Sequence, residues 1–282
     1  MNSGPQLPSP TWFIGCGNMG GAMIDGWRVA GVTLSPVTVI RPSGRPVEGA
    51  RVVTTFAEAG APPKLLVLAF KPQKLDEIAP QLRNWLTSRT TVLSLLAGVE
   101  VASLRERFPA AGAIVRVTTN LPVAIRRGVS ALYSEDADEP TRQQIGDLFA
   151  GLGFAMWAND EARLGIIGSV SGAGPAYVAR FVDALASAGE RRGLSREIAA
   201  TIALETVLGT AWMAATQGEG MTSIAKRVAS PNGTTEAGLA VLDHDHVLDN
   251  LIALTIDAAS RRGHELAEAA KVTSLAEGAR LH

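Results

Sequence analysis

Cysteine is nearly absent: Cys16 stands alone in 282 residues, which excludes a disulfide framework and fits a reducing compartment. Net charge is missing too. Lys plus Arg (26) and Asp plus Glu (27) almost cancel, so neither a nucleic-acid nor an acidic-membrane partner is expected. No uncharged apolar run reaches the roughly 18 residues of a membrane span. Residues 164–179 are interrupted by glycines and Pro175, and 198–218 carries Glu205 and reads as a buried core helix. The polar, Pro-rich residues 1–10 lack the basic and apolar regions of a secretory signal and read as a frayed tail. Together these absences point to a cytoplasmic protein. What is abundant is apolar mass. At 46% hydrophobic and 19% charged residues, a chain of this length buries a real core in one large or two modest domains.

Up to about residue 160, short apolar runs alternate with helical segments. Strand candidates lie at 11–14, 37–40, 65–70, 91–96, 114–117, 129–133 and 154–157. Several are unbroken Val/Ile/Leu runs, as parallel strands covered on both faces require. Helices are expected at 19–30, 76–86, 100–108 and 139–152. Between the second and third strands, Pro62 and Pro63 leave room for only a short turn of helix. This alternation predicts a doubly wound α/β sheet. Beyond 160 the strand-like runs vanish and helical periods take over, at 175–192, from the cap Ser195 to about 217, and at 222–229, 236–242 and 245–270. The expected division is a tail (1–10), a sheet domain (11–160) and an all-α domain (161–282). Apolar residues occupy more than one face of these late helices, a pattern suited to packing against a second subunit.

Gly15-Cys16-Gly17-Asn18-Met19-Gly20 is a GxGxxG sequence. In a chain with 29 glycines the motif alone means little, but here it follows a strand and opens a helix. In that setting the first glycine makes the tight turn, the second lets the backbone approach a pyrophosphate, and the third lets helix and strand pack closely. The end of the second strand discriminates between dinucleotides. An NAD site places Asp or Glu there for the ribose 2′-hydroxyl. This chain reads Arg41-Pro42-Ser43-Gly44-Arg45, with no acid. Arg41 and Arg45 can pair a 2′-phosphate and Ser43 can donate to it, so NADP(H) is favoured over NAD(H).

A nicotinamide site implies hydride transfer to C=O or C=N. Carbonyl chemistry needs a proton donor or acceptor such as Lys, His or Tyr. Lysines are few (Lys64, Lys71, Lys74, Lys226, Lys271), and none lies on the expected helix 175–192. The histidines all lie late in the chain, from His244 onward. A protonated imine already carries its proton and needs positioning more than acid catalysis, so the missing acid points to C=N reduction. Ser230-Pro231-Asn232-Gly233-Thr234-Thr235 leads into a helix. It reads equally as a carboxylate-binding nest of backbone N–H groups or as a plain helix start with Thr235 as N-cap. Ser171–Tyr177, with its glycines and Pro175, is similar in character. No metal site is expected.

Five segments in this order resemble the pyrroline-5-carboxylate reductase family over residues 11–270. They are Ile14–Trp27, Leu68-Ala69-Phe70-Lys71-Pro72-Gln73, Arg116–Pro122, Ser171–Tyr177 and Val228–Leu239. The resemblance implies a Rossmann-type sheet domain followed by an all-α dimerisation domain. It implies that Ile14, Gly15, Cys16, Gly17, Asn18, Met19, Arg41, Ala69, Lys71, Pro72 and Asn120 line NADP(H), beside Ser43 read from the loop itself. It implies that the amides of Gly233, Thr234 and Thr235 hold the carboxylate of a cyclic imino acid. The Thr235 hydroxyl would hydrogen-bond the ring nitrogen as the catalytic group, with Glu161 and Ser230 close to the substrate. The implied reaction is reduction of 1-pyrroline-5-carboxylate to L-proline. The implied assembly is a homodimer through the C-terminal helices, often multiplied to a decamer. The chain departs from the family pattern at Phe56, Thr118, Leu121 and Asn232. A reductase of a related cyclic imino acid and a non-catalytic NADP-binding paralogue remain the alternatives; a hydroxyacid dehydrogenase is disfavoured by the missing helix lysine.

Overall fold

The computed structural model describes residues 5–278. Eight strands form one sheet: β1 (Thr11–Ile14), β2 (Val37–Ile40), β3 (Arg51–Val53), β4 (Leu65–Leu68), β5 (Thr91–Ser94), β6 (Ala113–Thr118), β7 (Gly128–Tyr133) and β8 (Gly153–Trp157). The connecting helices are α1 (Asn18–Val29), α2 (Phe56–Ala59), α3 (Leu75–Leu82), α4 (Val101–Arg107) and α5 (Glu139–Ala150). Then come α6 (Glu161–Ser171), α7 (Gly174–Glu190), α8 (Arg196–Gln217), α9 (Met221–Val228), α10 (Thr234–Asp243) and α11 (Val247–Gly278).

Across the sheet the order is β3-β2-β1-β4-β5-β6-β7-β8, and every pairing is parallel except β6 with β7. The chain thus winds outward from β1 to β3, then crosses back past β1 to β4. That reversal opens a crevice at the carboxyl ends of β1 and β4, the position where doubly wound sheets bind ligands. The central strands β1, β2 and β4 are buried at every residue, which is why they read as unbroken apolar runs. Alternate side chains serve two cores: Phe13, Val39 and Val67 on one face, Trp12, Ile14, Leu66 and Leu68 on the other.

The expected doubly wound sheet is present, with corrections at its margins. β3 is a strand the sequence pattern did not announce. It has three residues, lies at the sheet edge and is partly exposed, so it leaves almost no apolar signature. The runs 65–70 and 91–96 stop as strands at Leu68 and Ser94. The expected helix 76–86 breaks at Leu82 into a 3-10 turn, Arg83–Trp85, with Pro80 already inside its last turn. The stretch read as a frayed tail is anchored in its described part: Leu7 is buried in the core and the Pro10 carbonyl accepts from the Lys64 N–H at 2.8 Å.

Two compact units emerge: one runs through Ala173 and resumes at Ala259, the other is Gly174–Ala258. By packing, α6 goes with the first unit, because it lies on β6 and β7. In the second unit, α7 and α8 cross through small residues, Ala186 against Ala199 and Ala203, with Val182 beside them. Small residues at a crossing bring helices close but bury little area. The large side chains point elsewhere: Val178, Phe181 and Leu185 of α7 and Ile198, Ile202, Leu204, Leu208 and Trp212 of α8 are all exposed in the single chain. The expectation of a buried core helix at 198–218 is therefore corrected: α8 is mostly uncovered, and by length and hydropathy it could span a membrane.

Helix α1 sets the floor of the crevice, and its fit depends on Gly26. A Cβ there would stand 2.1 Å from the Val123 carbonyl oxygen and 2.7 Å from Leu152 Cδ2. Gly26→Ala is expected to destabilise the protein by about 1–3 kcal/mol through overpacking, read as a lower denaturant midpoint at unchanged slope.

Candidate active site

At the carboxyl end of β1, each motif glycine has its own reason. Gly15 has φ +76°, and a Cβ on it would lie 2.8 Å from the Ala69 carbonyl oxygen, so only glycine fits the turn. Gly17 has nothing within 4 Å of a Cβ, which leaves its outer side clear for a ligand. Gly20 would bring a Cβ to 3.2 Å from that of Ala69, so it sets helix against strand. Gly17 is the N-cap of α1 and no side chain caps the helix, so first-turn N–H groups are available to an anion at the positive end of the helix. Ile14 and Ala69 are joined by backbone, Ala69 N–H to Ile14 C=O at 3.0 Å, and contribute main chain. Cys16 is half-buried, and that burial pushes its thiol above the usual range.

Arg41 and Ser43 come together as expected. Arg41 Nε donates to Ser43 Oγ at 2.9 Å, and both lie at the mouth of the crevice beside exposed Arg45. Lys71 and Pro72 follow β4 after Ala69 and Phe70, Lys71 exposed and Pro72 opening a 3-10 turn. The cradle at Gly17, the uncapped helix and the two guanidinium groups fit a dinucleotide with a 2′-phosphate.

Asn120 is built into the protein's own framework. It is 5% exposed, its Nδ2 donates to the Ser171 carbonyl at 3.0 Å, and its Oδ1 accepts from the Val129 N–H at 2.9 Å. Its amide ties the end of α6 and the start of β7 to the β6 loop. Glu161 is likewise engaged. Its Oε1 accepts from Arg116 Nη1 at 2.6 Å and from the Val101 N–H, the first of α4, at 2.9 Å. Glu161 thus clasps α6, β6 and α4, a role that no spacing in the sequence signals.

In the second unit, the loop before α10 is held by two bonds. The Gly233 N–H donates to the Ser230 carbonyl at 3.0 Å, and the Asn232 N–H donates to Glu236 Oε2 at 2.6 Å. Asn232 has φ +56°, which Asn tolerates better than most residues, and the loop keeps its shape without glycine there. The N-cap of α10 is Gly233, with no side-chain cap, so Thr235 is the second helical residue and not the cap. Its hydroxyl is therefore not spent on capping. The Gly233 N–H is engaged internally, so the Thr234 and Thr235 amides are the ones set at the open start of α10. Ser230 is exposed beside them, and its carbonyl oxygen would meet a Cβ at Gly233 at 2.9 Å, which favours glycine at that position. Glu236 was missed, although a Glu three residues after a helix N-cap is a readable sign of reciprocal bracing.

Comparison with known proteins bears on both units. A family model described as pyrroline-5-carboxylate reductase dimerisation matches residues 161–266, and one described as NADP oxidoreductase, coenzyme F420-dependent, matches 12–98. The pyrroline-5-carboxylate reductase of Pseudomonas aeruginosa is 36% identical over 266 residues, covering 91% of this chain and 96% of its own. That of Pisum sativum is 31% identical, covering 90% and 94%. Among solved structures, a pyrroline-5-carboxylate reductase from Coxiella burnetii has a TM-score of 0.82 at 28% identity, covering 92% of this chain and 99% of that one. A Plasmodium falciparum pyrroline carboxylate reductase with NADP bound has the same fold, with a TM-score of 0.82 at 24% identity.

Proposed function

Because the chain belongs to the pyrroline-5-carboxylate reductase family, we infer that it reduces the C=N bond of 1-pyrroline-5-carboxylate to give L-proline, with NADPH as reductant. NADPH, when bound, supplies a hydride from its nicotinamide C4. The chain's own residues bind and orient. Asn18 and Met19 of the uncapped α1 start hold the pyrophosphate, and Arg41 with Ser43 holds the 2′-phosphate. The Thr234 and Thr235 amides at the positive end of α10 hold the substrate carboxylate. The Thr235 hydroxyl hydrogen-bonds the ring nitrogen and fixes which face of the imine is presented. The electrons balance without a protein acid: the hydride adds to C5, the C=N π pair becomes the nitrogen lone pair, and the proton is already on the iminium. Lys71 and Pro72 border the cofactor, Ser230 borders the nest, and Glu161 acts as a positioning residue through Arg116. The observation that carries this reading is the Thr235 hydroxyl, freed from capping and set beside two first-turn amides.

The chain oligomerises through its helical region, which matches a dimerisation domain. We propose that the subunits pair as a homodimer through the exposed faces of α7 and α8, the dimers assembling further into a decamer in the cytoplasm.

The decisive assay follows NADPH absorbance with DL-1-pyrroline-5-carboxylate, with its six-membered homologue and with NADH. Faster turnover of the homologue would overturn the substrate assignment; no turnover despite NADPH binding would overturn the reaction. Thr235→Ala is expected to lower kcat/KM for the imine about two- to tenfold, the effect of one lost hydrogen bond of about 0.5–1.5 kcal/mol. NADPH affinity should stay unchanged, and an unaltered kcat/KM would remove Thr235 from the mechanism.

A further inference from the structure

The adenosine end of the crevice has a wall that the glycine motif does not contain. β3 lies beside β2, and the Arg41 N–H donates to the Val53 carbonyl at 3.0 Å, so the phosphate-facing turn starts tied to the end of β3. The turn closes on itself, Gly44 N–H to Arg41 C=O at 3.1 Å, and a Cβ on Gly44 would meet Thr54 Cγ2 at 3.6 Å. Thr54, next in the chain to Val53, thus lies alongside the turn.

Thr54 is itself locked by one side chain. Glu58 Oε2 accepts from the Thr54 N–H at 2.9 Å, the Thr54 hydroxyl at 3.3 Å and the Thr55 N–H at 3.3 Å. Thr55 Oγ1 accepts from the Glu58 N–H at 3.3 Å, completing a reciprocal capping box. Arg51 Nη2 donates to the Glu58 carbonyl at 2.8 Å and braces the same turn from below. All of this surrounds an exposed helix of four residues whose sole buried residue is Ala59. So much bonding is out of proportion to what α2 adds to the core, but it is suited to holding Thr54 still.

Resting on the NADP reading above, we propose that Glu58 is a positioning residue for cofactor choice: by locking Thr54 it sets the Arg41–Arg45 turn for the 2′-phosphate. The 2′-phosphate is the group that distinguishes NADPH from NADH, so loosening the wall weakens NADPH selectively.

The test is direct titration of wild type, Glu58→Ala and Glu58→Gln with NADPH, NADH, 2′,5′-ADP and 5′-AMP. Glu58→Ala should raise Kd for NADPH and 2′,5′-ADP about fivefold, the equilibrium factor of a lost cap. Kd for NADH and 5′-AMP should stay within about twofold, and kcat at saturating NADPH should hold. Glu58→Gln keeps an acceptor for the box and should restore tight binding. Equal weakening of all four ligands, or no change in any, would overturn the inference. If the wild type itself does not prefer 2′,5′-ADP to 5′-AMP, the NADP reading falls and takes this inference with it. The variants test Glu58, whereas the wild type alone tests the cofactor.

Discussion

Arg41→Asp is expected to turn the enzyme from NADPH towards NADH, lowering the ratio of kcat/KM values for the two cofactors about a hundredfold. Two effects combine. The lost guanidinium removes charge-assisted hydrogen bonds to the 2′-phosphate worth about 1.5–3 kcal/mol. The new carboxylate repels that phosphate and can accept from the free 2′-hydroxyl of NADH, the arrangement of an NAD site. The geometry supports the choice of residue: Arg41 is already paired with Ser43 at 2.9 Å, so its guanidinium is pre-set. Steady-state kinetics with each cofactor at fixed imine concentration reads the ratio. If the ratio does not change, Arg45 carries the 2′-phosphate and Arg41 does not.

Leu208→Glu should break the assembly. At 100° per residue, Ile198, Ile202, Leu204, Leu208 and Trp212 fall within one arc of about 160° on α8, with Trp212 at its centre and Leu208 about 40° to one side. Leu208 is 54% exposed in the single chain, so a Glu there costs the protomer's own fold little. In a symmetric pair the same change appears twice. Each copy forfeits about 1.5–3 kcal/mol of burial and brings an unpaired charge into an apolar contact. Light scattering should show the particle mass falling to that of one chain, with far-UV circular dichroism retained. An unchanged mass would place the subunit contact elsewhere.

The sequence made the two ends of the catalytic argument legible and obscured the parts that join them. β1, β2 and β4 were readable because burial on both faces forces continuous apolar runs, and Gly15–Gly20 gained meaning from lying between a strand and a helix. The SPNGTT segment was recognisable by residue type, but whether Thr235 capped α10 was a matter of one residue's register, which only the backbone decides. β3 was invisible because three edge residues carry no periodicity. α6 was obscured by Gly165, Gly168 and Gly172, which looked like breakers. At Gly168 the reason is contact: a Cβ would stand 2.9 Å from Thr118 Oγ1, so the helix needs a bare backbone there to lie against β6. The exposure of α8 was misread because an apolar helix buried in its own chain and one buried by a second chain have the same composition.

Asn120 has a consequence for anyone who would redesign this enzyme. It sits in the segment that family likeness assigns to the cofactor, so it would be an early target in a library meant to alter cofactor use. Its two hydrogen bonds run to the protein itself, one donated by Nδ2 and one accepted by Oδ1. Asp is isosteric but has no donor for the Ser171 carbonyl, and Leu leaves two buried backbone groups unsatisfied. A cofactor-switching campaign should therefore hold position 120 constant and spend its diversity on the exposed positions 43, 45, 54, 55, 57 and 58, where errors in packing are tolerated.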